Sequence, residues 1–189
     1  LKRYHKQKAR GSEGFGIVAF DSKIRDYKRF MFEHEMIKSV EAITAKNILL
    51  HHRYPTSVVN LPETAHPIRV THEELQYTYY VAHNGHISND DTLKEAHEAL
   101  GYAYTTEVRT EYITSKRKKW YGEAAWNDSE ALAIELALTI EGKQKKAGAK
   151  GAIAYMVLQT LHNTPVALYF GTNGGNPLTM KLEKDFIAI

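Results

Sequence analysis

Apolar residues in this chain gather in short runs separated by glycine, proline and charged turns, and the spacing inside each run separates strands from helices. Residues 14–21 (Gly-Phe-Gly-Ile-Val-Ala-Phe-Asp) make a short apolar run bounded by turn residues, as a buried strand does, and residues 25–32 supply a partner strand across a charged turn. Met36, Ile37, Val40 and Ile43 recur at helical spacing and predict an amphipathic helix over 33–44. A further strand covers 47–53. Pro55, Pro62 and Pro67 then impose an extended loop, because proline lacks an N–H and restricts the residue before it. The Tyr- and Val-rich segment 76–83 predicts a strand ending at Asn84-Gly85, and 90–100 a helix stopped by Gly101. Residues 102–126 carry no clear period and read as an inserted excursion with local structure at most. Asn127-Asp128-Ser129-Glu130 then has a capping-box pattern. It opens a helix running to about Glu141 on Leu132, Leu136 and Ile140, ended by Gly142. Strands at 152–161, 165–171 and 185–189 complete the pattern, and residues 1–9 read as the end of a basic helix closed by Gly11. Strand pairs before and after helices, without regular βαβ alternation, favour one α+β layered domain over residues 1–189.

Composition changes this picture in one respect. The 189 residues include 25 basic and 22 acidic side chains, a net charge of +3 that argues little about partners. The one dense basic run, Lys116-Arg117-Lys118-Lys119 before Trp120 and Tyr121, reads as a solvated loop, and no nucleic-acid partner is expected. There is no cysteine, which excludes disulfides, thiolate metal sites and any cysteine nucleophile within these residues. No apolar run approaches the ~18 residues of a membrane span, and no signal-peptide pattern follows Leu1, so a cytoplasmic protein without a membrane partner is expected. The chain begins at Leu1 and stops in the apolar run Phe186-Ile187-Ala188-Ile189, from which a piece of a longer chain is expected.

Candidate chemistry sits where strands stop and helices start. Asn84-Gly85 is the commonest two-residue hairpin signal, or an oxyanion site in which the Asn amide and the Gly N–H both donate. Arg53 is a surface ion-pair residue or, beside Thr56, a bidentate ligand for a carboxylate. Asp128 is a helix cap, a receiver for a substrate ammonium, or both. Ten histidines invite a metal, but there is no His-Glu-x-x-His, and none is expected. Gly11-Ser12-Glu13-Gly14 is not a nucleophile elbow, and the glycine-rich 171–176 stretch reads as a loop between strands.

In order along the chain, these clusters resemble class II glutamine amidotransferase (glutaminase) domains of the N-terminal-nucleophile (Ntn) hydrolase superfamily. Arg10-Gly11-Ser12-Glu13-Gly14-Phe15-Gly16 is similar to that family's Arg-Gly-x-Asp-x-x-Gly, and His51-His52-Arg53-Tyr54-Pro55-Thr56 to its His-Thr-Arg-Tyr/Trp-Ala-Thr. Ala65-His66-Pro67 matches its Ala-His-Pro step, and His83-Asn84-Gly85-His86-Ile87-Ser88-Asn89 its His-Asn-Gly-x-Ile-x-Asn. Asn127-Asp128-Ser129-Glu130 resembles its Ser/Thr-Asp-Ser/Thr-Glu, and Asn176-Pro177-Leu178 its late Asn/Asp-Pro-Leu turn. The resemblance implies a four-layer αββα sandwich and no cofactor. It implies glutamine as substrate, with Asn84 and Gly85 as the oxyanion hole. Arg53 and Thr56 would hold the α-carboxylate, and Asp128 the α-amino group. Released ammonia would pass to an accepting domain or protein partner, and an oligomer is left open. The family's nucleophile, a cysteine at the mature amino terminus, is missing here, so the resemblance implies a domain trimmed at both ends. Two expectations follow: a working glutaminase whose cysteine lies upstream of Leu1, or an inactive fold kept as a structural or binding module. The 189 residues alone are expected to be inactive.

Overall fold

The computed structural model describes residues 11, 13–54, 60–109 and 124–178, with the strand segments 181–183 and 186–188. The first predicted strand is β1 (Phe15–Phe20), pairing on one side with β2 (Ile24–Phe30) and on the other with β3 (Asn47–His52), all antiparallel. Helix α1 (Glu33–Ala42) joins β2 to β3 and starts with Glu33 and Glu35, acidic residues suited to the positive end of the helix dipole. A second antiparallel sheet has the order β4-β5-β8-β9, from β4 (Ile68–Val70), β5 (Thr78–Ile87), β8 (Gly151–Leu161) and β9 (Thr164–Thr172). Between its strands come α2 (Asp90–Ala99), the two-residue strands β6 (Val108–Arg109) and β7 (Ala124–Ala125), and α3 (Ser129–Ile140). Strands β10 (Lys181–Glu183) and β11 (Phe186–Ala188) pair with each other.

Three apolar clusters define the layers. Phe15 and Met36, with Phe30, Ile37, Val40 and Leu50, seal α1 onto the first sheet. Val18 and Leu49 meet Tyr80 and Leu158 between the two sheets. Tyr79, Val81, Ile153 and Val157 face Leu132, Ile134 and Leu136 of α3 on the far side of the second sheet. Successive residues of β5 alternate between the last two clusters, as strand geometry requires. Helix, sheet, sheet and helix therefore stack as the four-layer αββα sandwich, with α2 packed beside α3.

The structure departs from the sequence reading in five places. Strand β5 does not end at Asn84-Gly85 but runs on to Ile87, paired with β8 as far as Gly151. A hairpin signal yields here to ten residues of continuous ladder. Strand β4, three residues after Pro67, was hidden by its shortness, and so was β10. In the 102–126 segment, Tyr102 and Tyr104 are buried in the core and β6 pairs with β7, whereas the basic run at 116–119 lies outside the described residues. The capping box does not form, since α3 starts at Ser129 with no side-chain bond from its N-cap, Asp128. Asn127 Oδ1 accepts from the Ser129 N–H at 3.0 Å, but Glu130 turns away to accept from both backbone and hydroxyl of Thr105 (2.8 and 2.8 Å) and of Thr106 (2.8 and 2.6 Å). The proposed helix over residues 1–9 also lies outside the described residues.

Candidate active site

The polar ends of β3 and β5 meet the start of α3 around a cavity of about 430 Å³. Arg53 follows β3 and is only 3% exposed. Its backbone is clamped by the glycine-rich segment before β1: its N–H donates to Gly14 O at 2.8 Å and its carbonyl accepts from Glu13 N at 3.2 Å. Gly11 approaches so closely that a Cβ there would lie 2.8 Å from the Arg53 carbonyl. The guanidinium donates to Thr64 Oγ1 at 2.9 Å and to Asn60 Oδ1 at 3.4 Å. Burial pulls Arg53 down to about 10 while Asp128 and Glu13 oppose the shift, so it stays a cation at neutral pH.

Asp128, 2% exposed, lies one residue before α3. Its Oδ2 accepts from the Ile87 N–H at 2.7 Å and lies 3.0 Å from Nδ1 of the half-exposed His86. The Ile87 N–H thus marks one edge of β5 as facing the site, and residues two apart share an edge. Opposite Gly85, the Ile153 N–H donates to Asn173 Oδ1 (3.0 Å) and the Ile153 carbonyl accepts from the Asn173 N–H (3.1 Å). Gly85 and Ile153 therefore exchange no ladder bonds, and the Gly85 N–H points to the same edge as that of Ile87. Strand β4 borders that edge only from Tyr79 to Val81. Asn84 lines the cavity, and its carbonyl is held by Asn176 Nδ2 at 2.7 Å.

Histidines form the wall between these charges. Because Asn127 Oδ1 accepts from Ser129, its Nδ2 is the donor, to Thr64 O at 2.7 Å and to His66 Nε2 at 3.2 Å. His66 must then carry its proton on Nδ1 and donate to His51 Nε2 at 3.3 Å. On the other side, His83 Nε2 lies 3.2 Å from Ala152 O and its Nδ1 2.8 Å from Ser129 Oγ. A neutral ring here donates from Nε2 to the carbonyl and accepts at Nδ1 from the hydroxyl. Burial, reinforced by His52, drives His51 down to about 3. Burial beside His51, His83 and Arg53 takes His66 well below the usual imidazole range, and burial lowers His83. The wall is neutral at physiological pH, leaving Arg53 and Asp128 as opposite buried charges on one cavity.

The structure therefore brings Arg53, Asn84, Gly85 and Asp128 to one cavity, while Thr56 lies outside the described residues. Thr64, Asn127, His83 and Ser129 had no assigned role in the sequence reading. His66, His83, Asn127, Ser129 and Asn176 sat inside its motifs, so position in a motif was the available signal. Among the described residues no three His, Asp or Glu side chains are arranged to hold a metal ion, and no helix is long and apolar enough to cross a membrane.

In sequence and in fold the chain is similar to glutamine amidotransferases, in keeping with the class II, Ntn-hydrolase resemblance of its motifs. It is 32% identical over 113 residues to the amidophosphoribosyltransferase of Archaeoglobus fulgidus, an alignment covering 59% of this chain and 24% of that protein. Identity is also 32% over 116 residues with the amidophosphoribosyltransferase of Pyrococcus horikoshii (60% and 25% covered). With the isomerizing glutamine--fructose-6-phosphate aminotransferase of Sulfurisphaera tokodaii it is 31% over 107 residues (55% and 18%). The chain spans a quarter or less of the length of these relatives. Glutamine phosphoribosylpyrophosphate amidotransferase from B. subtilis, solved with ADP and GMP, shares the fold with a TM-score of 0.61 at 22% identity, over 96% of this chain and 36% of that one. No protein-family model matches the chain.

Proposed function

We propose that this domain binds L-glutamine in the cavity and, in a cytoplasmic protein that brings a thiol to it, hydrolyses the side-chain amide to glutamate and ammonia for an accepting domain or partner. The observation that carries the reading is the pairing of two buried opposite charges, Arg53 and Asp128, across one cavity of about 430 Å³. An α-amino acid presents one carboxylate and one ammonium to such a pair. Arg53, helped by Thr56, takes the carboxylate, and Asp128 takes the ammonium. A thiolate attacks the amide carbon and the oxygen becomes an oxyanion. The Asn84 side chain and the Gly85 N–H, directed to the open edge of β5, donate to it. The carbon–nitrogen bond breaks as the nitrogen is protonated and leaves as ammonia. Water then cleaves the thioester, giving glutamate and restoring the thiol. We further propose one domain over 1–189 with an insertion at about 102–126, a reading supported by the pairing of Val108–Arg109 with Ala124–Ala125 inside that stretch.

The lack of cysteine in all 189 residues favours a second reading, a glutamine-binding or structural module without hydrolysis. Glutamine titration of the full-length protein, with ammonia release measured in parallel, separates the two. Hydrolysis that Arg53→Lys weakens at least ~10-fold in kcat/KM supports the first, since lysine cannot reproduce a bidentate grip. Saturable binding without ammonia supports a binding module, and no binding at all overturns the glutamine reading and leaves a structural module. Residues 1–189 alone, which contain no cysteine, are expected to release no ammonia.

A further inference from the structure

We infer that Asn127 is a positioning residue that sets the spacing between Arg53 and Asp128, with Thr64 as the other half of the bracket; this rests on the glutamine reading above. Asn127 stands where the motif it resembles has Ser or Thr, and its longer amide makes contacts that a hydroxyl side chain would not span together. Oδ1 takes the Ser129 N–H at 3.0 Å and so pins the turn that carries Asp128. Nδ2 reaches Thr64 O at 2.7 Å, across 63 residues of sequence. The Thr64 hydroxyl in turn accepts from Arg53 at 2.9 Å and donates to Leu61 O at 2.9 Å. One buried amide and one buried hydroxyl thus link the residue beside the anion directly to the support of the cation. The same Nδ2 sets the proton positions on His66 and His51 in the wall between the charges. A ligand that meets both charges depends on their separation, whereas a ligand that meets one does not.

That distinction supplies the test. Affinities are measured in the full-length protein by titration calorimetry or ligand-observed NMR for L-glutamine, glutaramate (no ammonium) and 4-aminobutanamide (no carboxylate). Asn127→Ala is expected to weaken L-glutamine ~10-fold while leaving each single-charge analogue within about twofold, the loss matching one or two charge-assisted bonds. Thr64→Val, which removes the hydroxyl at nearly constant volume, is expected to weaken L-glutamine and glutaramate ~10-fold and spare 4-aminobutanamide. Thr64→Ser should restore both. Equal losses for all three ligands, or none, overturn the spacing role. Should Asn127→Ala fail to fold, Asn127→Ser, which installs the hydroxyl residue of the motif, takes its place with the same expected pattern over the three ligands. A wild-type protein that binds none of the ligands overturns the glutamine reading and this inference with it. Wild-type binding with unchanged variants overturns only the inference.

Discussion

A Cβ at position 85 would sit 1.7 Å from the Ala152 carbonyl oxygen and 2.6 Å from His83 Nε2, on a backbone at φ +152°. Glycine is required there twice over, by conformation and by space. Gly85→Ala must push β5 from β8 or displace His83, and is expected to cost about 2 kcal/mol or more in urea unfolding and to abolish glutamine binding. A melting curve that matches wild type would contradict this. The same residue shows what was legible in the sequence. Asn84-Gly85 stood out at once, yet its local chemistry pointed equally to a turn, and the ladder with β8 decides the matter. Arg53 and Asp128 were legible because their motifs bracket them. Thr64 was not, since its role depends on Arg53 and Asn127, which lie 11 and 63 residues away in the chain.

At the scale of elements, α3 shows how the layers lock. Ten of its residues, Ser129 to Leu138, are buried, so its polar side chains must find partners inside the protein. Glu130 does so by taking four donors from Thr105 and Thr106, which ties the 102–106 segment to the helix start. Glu130→Gln keeps the shape but faces some of these donors with an N–H. It is expected to cost about 2–4 kcal/mol by the cost of stranding buried donors, read as a lower denaturation midpoint. An unchanged midpoint would show that the segment is held by Tyr102 and Tyr104 packing instead. Further along, Glu135 takes His97 Nε2 at 3.0 Å, Gln144 and the Gly148 N–H; burial alone would raise its carboxyl, but these bonds outweigh it and hold it below the usual range. Periodicity revealed α1, α2 and α3 and the longer strands, because each spans enough residues to show a repeat. It missed β4 and β10, which have three residues each. The capping box misled about Glu130, because a tertiary contact outcompeted the local one.

Over the whole molecule, the buried histidines couple fold stability to pH. His51, His66 and His83 come from β3, the turn before β4, and β5, so the cluster bridges the first and second sheets. His66 and His83 are 5% and 3% exposed, while His51 faces the cavity and contributes less than a fully enclosed ring. Each is held neutral when folded, with His51 at about 3 against ~6.5 for an unfolded histidine. Between those values the unfolded chain binds more protons than the folded one, so stability rises with pH. The stabilisation is complete above ~6.5 and is lost as the pH falls toward the folded value, at up to ~1.4 kcal/mol per pH unit for each fully buried ring. Urea midpoints should therefore drop steadily from pH 7 to pH 5, before carboxylates such as Glu135 begin to protonate. His66→Gln, which cannot take up a proton, should flatten that slope whatever it does to the midpoint at pH 7. A slope equal to wild type in this variant would show that His66 does not carry the coupling. A wild-type midpoint constant over the whole interval would mean that the protonated rings are accommodated, and that the wall between Arg53 and Asp128 need not be neutral.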